Sequence, residues 1–134
     1  GVTILADALN KNCALEKIGL ERNRIGPEGA EKLASALKQN QSIQSVCLEH
    51  NWICDEGATQ LAAAFLRNQS LKYISLADTR IGADGAKIIA HALKTNKSIQ
   101  FMNFNYNFFG DVGVGYLADS LRVNNTLQHI SLEK

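Results

Sequence analysis

Apolar residues along this chain follow two rhythms in alternation. A short stretch with apolar residues at its first, fourth and sixth positions precedes a longer one whose apolar residues are spaced three and four apart. The pair recurs every 28 residues. The short stretches carry Leu15, Ile18, Leu20; Ile43, Val46, Leu48; Leu71, Ile74, Leu76; Ile99, Met102, Phe104; and Leu127, Ile130, Leu132. Their four-to-six interval is the alternation of a β-strand. In the long stretches Ala30, Leu33, Ala34 and Leu37 stand at i, i+3, i+4 and i+7, one face of a helix. Ala58, Leu61, Ala62 and Phe65 repeat the spacing, as do Ala86, Ile89, Ala90 and Leu93. Strands are therefore predicted near residues 15–20, 43–48, 71–76, 99–104 and 127–132. A helix is predicted after each of the first four, and a partial one before the first. Each helix supplies the long crossover that a parallel return requires, so the sheet is predicted to be parallel.

Four complete units result, at 15–42, 43–70, 71–98 and 99–126. Residues 1–14 match the second half of a unit, with Gly1 aligned on Gly29, and residues 127–134 match an opening half. A fixed period of this length predicts a solenoid in which each unit buries its apolar face against its neighbours. Stacked strands sit about 4.8 Å apart, whereas packed helices need about 8–10 Å. The strands must then line the concave side of an arc and the helices its convex side. The predicted fold is a right-handed α/β solenoid forming a single domain over 1–134.

Three polar or small positions recur with the apolar ones. The ninth position holds Asn23, Asn51, Thr79 and Asn107. A buried amide there can bond the backbone of its own coil and the adjacent one, so these asparagines are expected to be buried structural residues. Thr79 can do only part of this, which predicts a local adjustment. Gly29, Gly57, Gly85 and Gly113 are expected to start the helices and allow close approach to the strand layer. Asn40, Asn68, Asn96 and Asn124 are expected to end the helices in the left-handed conformation that Asn tolerates.

Written as a consensus, the units read L-x-x-I-x-L-x-x-N-x-I-G-x-x-G-A-x-x-L-A-x-A-L-x-x-N. This resembles the leucine-rich repeat in its long, ribonuclease-inhibitor-like form, over essentially the whole chain. That form is shared by NOD-like receptor sensor regions, ribonuclease inhibitor and Ran GTPase-activating proteins. Asp55–Ala58 and the A-L-K-x-N run ending at Asn40 are most similar to the NOD-like receptor versions. The resemblance implies a horseshoe with its parallel sheet on the inner face, and a role in recognising proteins or large ligands.

Positions that vary between units are the ones free to make a site. The third position gives Lys17, Ser45, Tyr73, Phe101 and His129, and the eighth gives Arg22, His50, Asp78, Tyr106 and Lys134. The tenth gives Arg24, Trp52, Arg80 and Phe108. Tyr73, Phe101, Tyr106 and Phe108 are aromatic where the scaffold does not need it, and Trp52 lies one unit away. Rings with a polar rim are typical of interface hot spots. These five, flanked by Arg22, Arg24 and Arg80, are the candidate ligand-binding residues. The competing reading is that the fourth unit has altered packing, since it also carries Met102, Phe104, Val112 and Val114.

Composition narrows the function further. The 134 residues carry a net charge of +1 with lysines and arginines spread through the units. That argues against a nucleic-acid or anionic-membrane binder. No apolar run approaches the roughly 20 residues of a membrane span. Cys13, Cys47 and Cys54 have no paired spacing, which favours free thiols and a reducing, cytoplasmic setting. Cys47 and His50 lack a third orienting group for catalysis, and with Cys54 they lack the second half of a zinc motif. No catalytic residue, metal site or cofactor is therefore assigned. N-x-S/T occurs at Asn40, Asn68, Asn96 and Asn124, but a shared repeat position explains all four without sugar. Neither end carries a polar capping unit, which predicts a fragment of a longer protein or copies that associate through their ends. A non-enzymatic protein-binding module is the reading that fits best. An enzyme-regulatory solenoid of the GTPase-activating or ribonuclease-inhibiting kind, and a structural self-association scaffold, are the alternatives.

Overall fold

The computed structural model describes residues 1–134, as five helices alternating with five strands. The order is α1 (Val2–Leu9), β1 (Lys17–Gly19), α2 (Pro27–Gln39), β2 (Ser45–Cys47), α3 (Cys54–Phe65), β3 (Tyr73–Ser75), α4 (Ala83–Leu93), β4 (Phe101–Asn103), α5 (Gly110–Leu121) and β5 (His129–Ser131). The strands form one sheet in chain order, and every neighbouring pair is parallel. Pairing advances by one repeat per strand, so Ile18, Val46, Ile74, Met102 and Ile130 are successive partners. The helices stack in the same order on one side of the sheet. The strands are shorter than the sequence pattern suggests, because the apolar first and sixth positions lie just outside the paired segment.

Burial follows the repeat. One continuous core contains Ile43, Leu48, Ile53, Leu61, Leu71, Ile74, Leu76, Ile81, Ile89 and Leu93 at its centre. Burying each such side chain stabilises the fold by about 1.5–3 kcal/mol. The helices approach closely because they meet through alanines and glycines. A Cβ on Gly57 would lie 2.7 Å from the Ile53 Cγ2 and 3.0 Å from the Ala30 Cβ on α2. Gly85 and Gly113 repeat the arrangement against Ala58 and Ala86. These glycines therefore sit within the first helical turns rather than at the starts, and the close approach they permit is to their own unit's eleventh-position side chain and to the preceding helix.

The asparagines at the helix ends work differently from expectation. Asn40 caps α2 in an extended conformation, with φ −72° and ψ 127°, and none of the four has a positive φ. Their side chains instead clip successive units together. Asn68 donates through Nδ2 to the carbonyls of Leu37 (2.7 Å) and Asn40 (2.9 Å), and its Oδ1 accepts from the N–H groups of Ser70 and Leu71. Asn40 does the same towards Leu9 and Asn12, and Asn124 towards Leu93 and Asn96. Asn96 keeps the bond to Phe65 and adds Ser98. With these amide groups engaged by backbone, the positions are structural.

The expected ninth-position ladder is present but uneven. Asn51 is fully buried and donates to the carbonyls of Leu20 and Leu48, while its Oδ1 accepts from Asn23 N–H (3.1 Å) and Ile25 N–H (2.8 Å). Asn107, half-buried, does the same for Thr79 N–H and Ile81 N–H. Asn23 is exposed and reaches only the Glu21 carbonyl, so the expectation that it is buried fails. Thr79 is buried but bonds mainly within its own coil, to the Leu76 carbonyl.

This difference sets the loop conformations. Two N–H groups separated by one residue converge on a single oxygen only if the residue between them bends sharply. Arg24 and Arg80, the residues between, are left-handed at φ 55° and 63°. The second unit faces Thr79, which offers no such oxygen. There Trp52 is not left-handed, and Cys54 takes the turn instead, at φ 57°. The adjustment expected at Thr79 thus appears in the loop of the preceding unit.

Candidate interaction surface

The variable positions form two rows at opposite ends of the strands. At the strand starts, Ser45, Tyr73, Phe101 and His129 are successive register partners. Phe101 and His129 bring their ring centroids to 6.3 Å. Tyr73 is half-buried, and burial raises the pKa of its hydroxyl, with the neighbouring Cys47, Glu49 and Glu21 adding to the rise. Lys17, Gln44, Ser45, Lys72, Tyr73 and Phe101 line a shallow depression at this end.

Beyond the strand ends lies the second row, Arg24, Trp52, Arg80 and Phe108. The Arg24 and Arg80 guanidinium carbons stand 6.0 Å and 5.2 Å from the Trp52 ring, approaching from the units on either side. Backbone bonds from Trp52 N–H to the Ile25 carbonyl and from Phe108 N–H to the Ile81 carbonyl tie the row to the preceding coils. Tyr106 stands just before it, left-handed at φ 60°. The candidate residues are thus not one cluster: Tyr73 and Phe101 belong to the strand-start row, and Trp52, Phe108, Arg24 and Arg80 to the rim. Arg22 is exposed and left-handed at φ 58°, near the rim.

Exposure separates the surface rings from the packing rings. Phe108 is 70% exposed, Tyr106 54%, Trp52 44% and Phe101 39%. Phe104 and Phe109 are buried and meet edge to face at 5.3 Å. The altered packing of the fourth unit is therefore taken up chiefly by Phe104 and Phe109, with Tyr106 and Phe108 at the surface. Phe101 still carries a packing share, since most of its surface is covered.

Between the rows, the sheet surface is polar and largely satisfied within the chain. Ser75 Oγ donates to Glu49 Oε1 at 2.6 Å, and Asn103 Nδ2 reaches the same oxygen at 3.4 Å. Glu49 is thus engaged within the sheet surface. Burial pushes the Cys47 thiol up to about 12, and its hydrogen bond to Glu21 adds to the rise. The same bond lowers the Glu21 carboxyl. A thiol held protonated is no nucleophile. His50 turns away from it, with Nδ1 2.8 Å from Asp78 Oδ2. No group of three His, Cys, Asp or Glu side chains is arranged to hold a metal ion. No helix is long and apolar enough to cross a membrane.

A parallel sheet with one strand and one helix per 28 residues defines an α/β solenoid, and comparison with known proteins places it. The family model described as Leucine Rich repeat matches residues 11–34, 39–62 and 67–90, more than half of the chain. The chain belongs to the leucine-rich repeat family. Among solved structures, it is similar to the leiomodin-1 actin-binding site 2, at 18% identity and a TM-score of 0.90, over 96% of this chain and 77% of that one. It is also similar to the tropomodulin C-terminal domain of Caenorhabditis elegans, at 14% identity and a TM-score of 0.87, over 99% and 83% of the two chains. The Chaetomium Mex67:Mtr2 subunits align at 15% identity and a TM-score of 0.62, over 97% and 89%. At these identities the likeness is one of fold. No curated protein sequence matches the chain.

Proposed function

We propose that residues 1–134 act as one non-enzymatic, cytoplasmic recognition module that binds a protein through the two variable rows. One observation carries the reading. Exposed rings stand at positions the repeat leaves free, while the core of the same units is completed by other residues. Aromatic side chains bury large areas at low cost in conformational entropy, so a few can dominate an interface. The solved leiomodin-1 structure is named for actin binding, which makes actin the first partner to test. A NOD-like receptor sensor role, or a ribonuclease-inhibitor-like or GTPase-activating one, rests on the repeat consensus alone.

The test is capture of partners on the immobilised module, with actin assayed in parallel. Phe101→Ala and Tyr106→Ala variants of verified fold serve as comparisons. A protein retained by the native module and lost from both variants is the expected result. Equal retention on all three surfaces would place binding elsewhere and refute this assignment.

A further inference from the structure

The rim row has a chemistry that specifies its partner. Trp52 is stacked by guanidiniums from both neighbouring units. The chain's side-chain ion pairs, His50–Asp78 and Arg122–Asp119, involve neither Arg24 nor Arg80. Both arginines therefore present exposed guanidiniums without an acidic partner, held beside a ring. We infer that this row is a docking surface for one face of an acidic, amphipathic helix of a partner protein. The inference rests on the protein-recognition reading above and names the partner that reading leaves open.

Three observations support it. First, the row alternates cation, aromatic, cation, aromatic, ending in the highly exposed Phe108. Units follow one another at about 4.8 Å, so Arg24 and Arg80 lie about 10 Å apart, as do Trp52 and Phe108. On a helix, residues i and i+7 are separated by about 10.5 Å along one face. Carboxylates at i and i+7, with apolar side chains at i+4 and i+11, match the row in order and spacing. Second, a guanidinium already stacked on an indole keeps its N–H edge free for a carboxylate and loses little further freedom on binding it. Third, a continuous polyanion fits poorly. Asp78, beside the same loops, and Asp55, in the first turn of α3, are bonded to His50 and Gly82 N–H, and the whole chain carries only +1.

Thr79 acts as the positioning residue. Asn51 and Asn107 hold the Arg24 and Arg80 loops in their left-handed bend, and the absence of an amide at Thr79 leaves the Trp52 loop in another conformation. The ring can then sit between two cations rather than follow their course.

The probe is a fluorescein-labelled, alanine-rich helical peptide with Glu at i and i+7 and Leu at i+4 and i+11, read by fluorescence anisotropy. The expected result is saturable binding that weakens with salt. It should also weaken at least tenfold when both Glu become Gln, or when the module carries Arg24→Gln with Arg80→Gln. Arg24→Lys with Arg80→Lys should give an intermediate loss, and it provides a folded comparison if the Gln variant melts early. Thr79→Asn should also weaken binding without changing charge. Absence of binding overturns the inference. So does equal binding by a peptide with its Glu residues at i and i+2, equal binding by the Arg24→Gln/Arg80→Gln module, or tighter binding of a single-stranded oligonucleotide. If the inference fails alone, partners captured through Phe101 still bind the Arg24→Gln/Arg80→Gln module. If protein recognition itself fails, no partner depends on either row.

Discussion

Replacing Asn51 with alanine removes one amide, leaving four backbone groups without it and a fifth, the Glu49 carbonyl, still bonded by Arg22 N–H. Two of them, Asn23 N–H and the Leu20 carbonyl, lie towards the first unit, where Asn23 is exposed and water can take over. The other two belong to Ile25 and Leu48, both buried. Each buried unsatisfied group costs about 1–3 kcal/mol. Against this, Arg24 is freed from its left-handed bend, which returns about 1 kcal/mol. The net expectation is a loss of about 1–5 kcal/mol. With a denaturant slope of about 1–3 kcal/mol/M in urea, a loss near the middle of that range lowers the midpoint by about 1 M or more. Urea unfolding followed by circular dichroism measures this. Amide exchange at Ile25 should rise at the same time, because a repeat array can loosen locally. Asn51→Thr should copy the natural situation at Thr79 and cost less than Asn51→Ala. An Asn51→Ala midpoint within about 0.2 M of the native value, less than the worth of one buried orphan, would refute the ladder's role.

Other expectations follow from packing and exposure. Gly57→Ala should destabilise the fold by about 1 kcal/mol, since an overpacking cost of about 1–3 kcal/mol exceeds a helix-propensity gain of about 1 kcal/mol. A Cβ at Gly115 meets nothing within 4 Å, so Gly115→Ala in α5 should stabilise by about 0.5–1 kcal/mol. Thermal melts of the two variants should therefore move in opposite directions. Iodoacetamide at pH 8 should label the exposed Cys13 well before Cys47, whose thiol is raised to about 12, as peptide mass spectrometry would show; equal labelling would contradict the burial assigned to Cys47. Leu5, Ile130 and Leu132, in the two terminal layers of the stack, are only partly buried, though Leu9 is buried, so sedimentation of residues 1–134 should show concentration-dependent association. A strictly monomeric species at high concentration would reject that.

Much of the fold was legible because its period is long-range and its rules are local. The alternation around Val46 and Ile74 fixed both the strands and their inward faces, and the register then follows from the repeat. What the sequence concealed were interactions spanning adjacent units. The left-handed residues are Arg22, Arg24, His50, Cys54, Asp78, Arg80 and Tyr106, none chosen by glycine-like propensity. Arg24 and Arg80 adopt the conformation because an asparagine in the following coil gathers the N–H groups beside them. Asn68 looked like a local helix stop because local propensity says nothing of a carbonyl at Leu37, 31 residues back. In the candidate site, strand alternation accounts for Phe101, which is partly exposed beside the buried Met102. Position ten lies beyond the strands, where alternation has no authority, so the Arg24–Trp52–Arg80 stack was invisible.

The central claim is that the exposed rings serve recognition and not the scaffold. Tyr106 and Phe108 test it most directly, because they are the most exposed rings of the candidate set. The measurement is the urea midpoint of the Tyr106→Ala/Phe108→Ala double variant, taken with its affinity for a partner captured by the native module. The account predicts a stability loss of no more than about 1–2 kcal/mol, because less than half of Tyr106 and less than a third of Phe108 is covered, and a binding loss of at least about 2 kcal/mol. Unfolding of the double variant, or undiminished binding by a stable one, would contradict it.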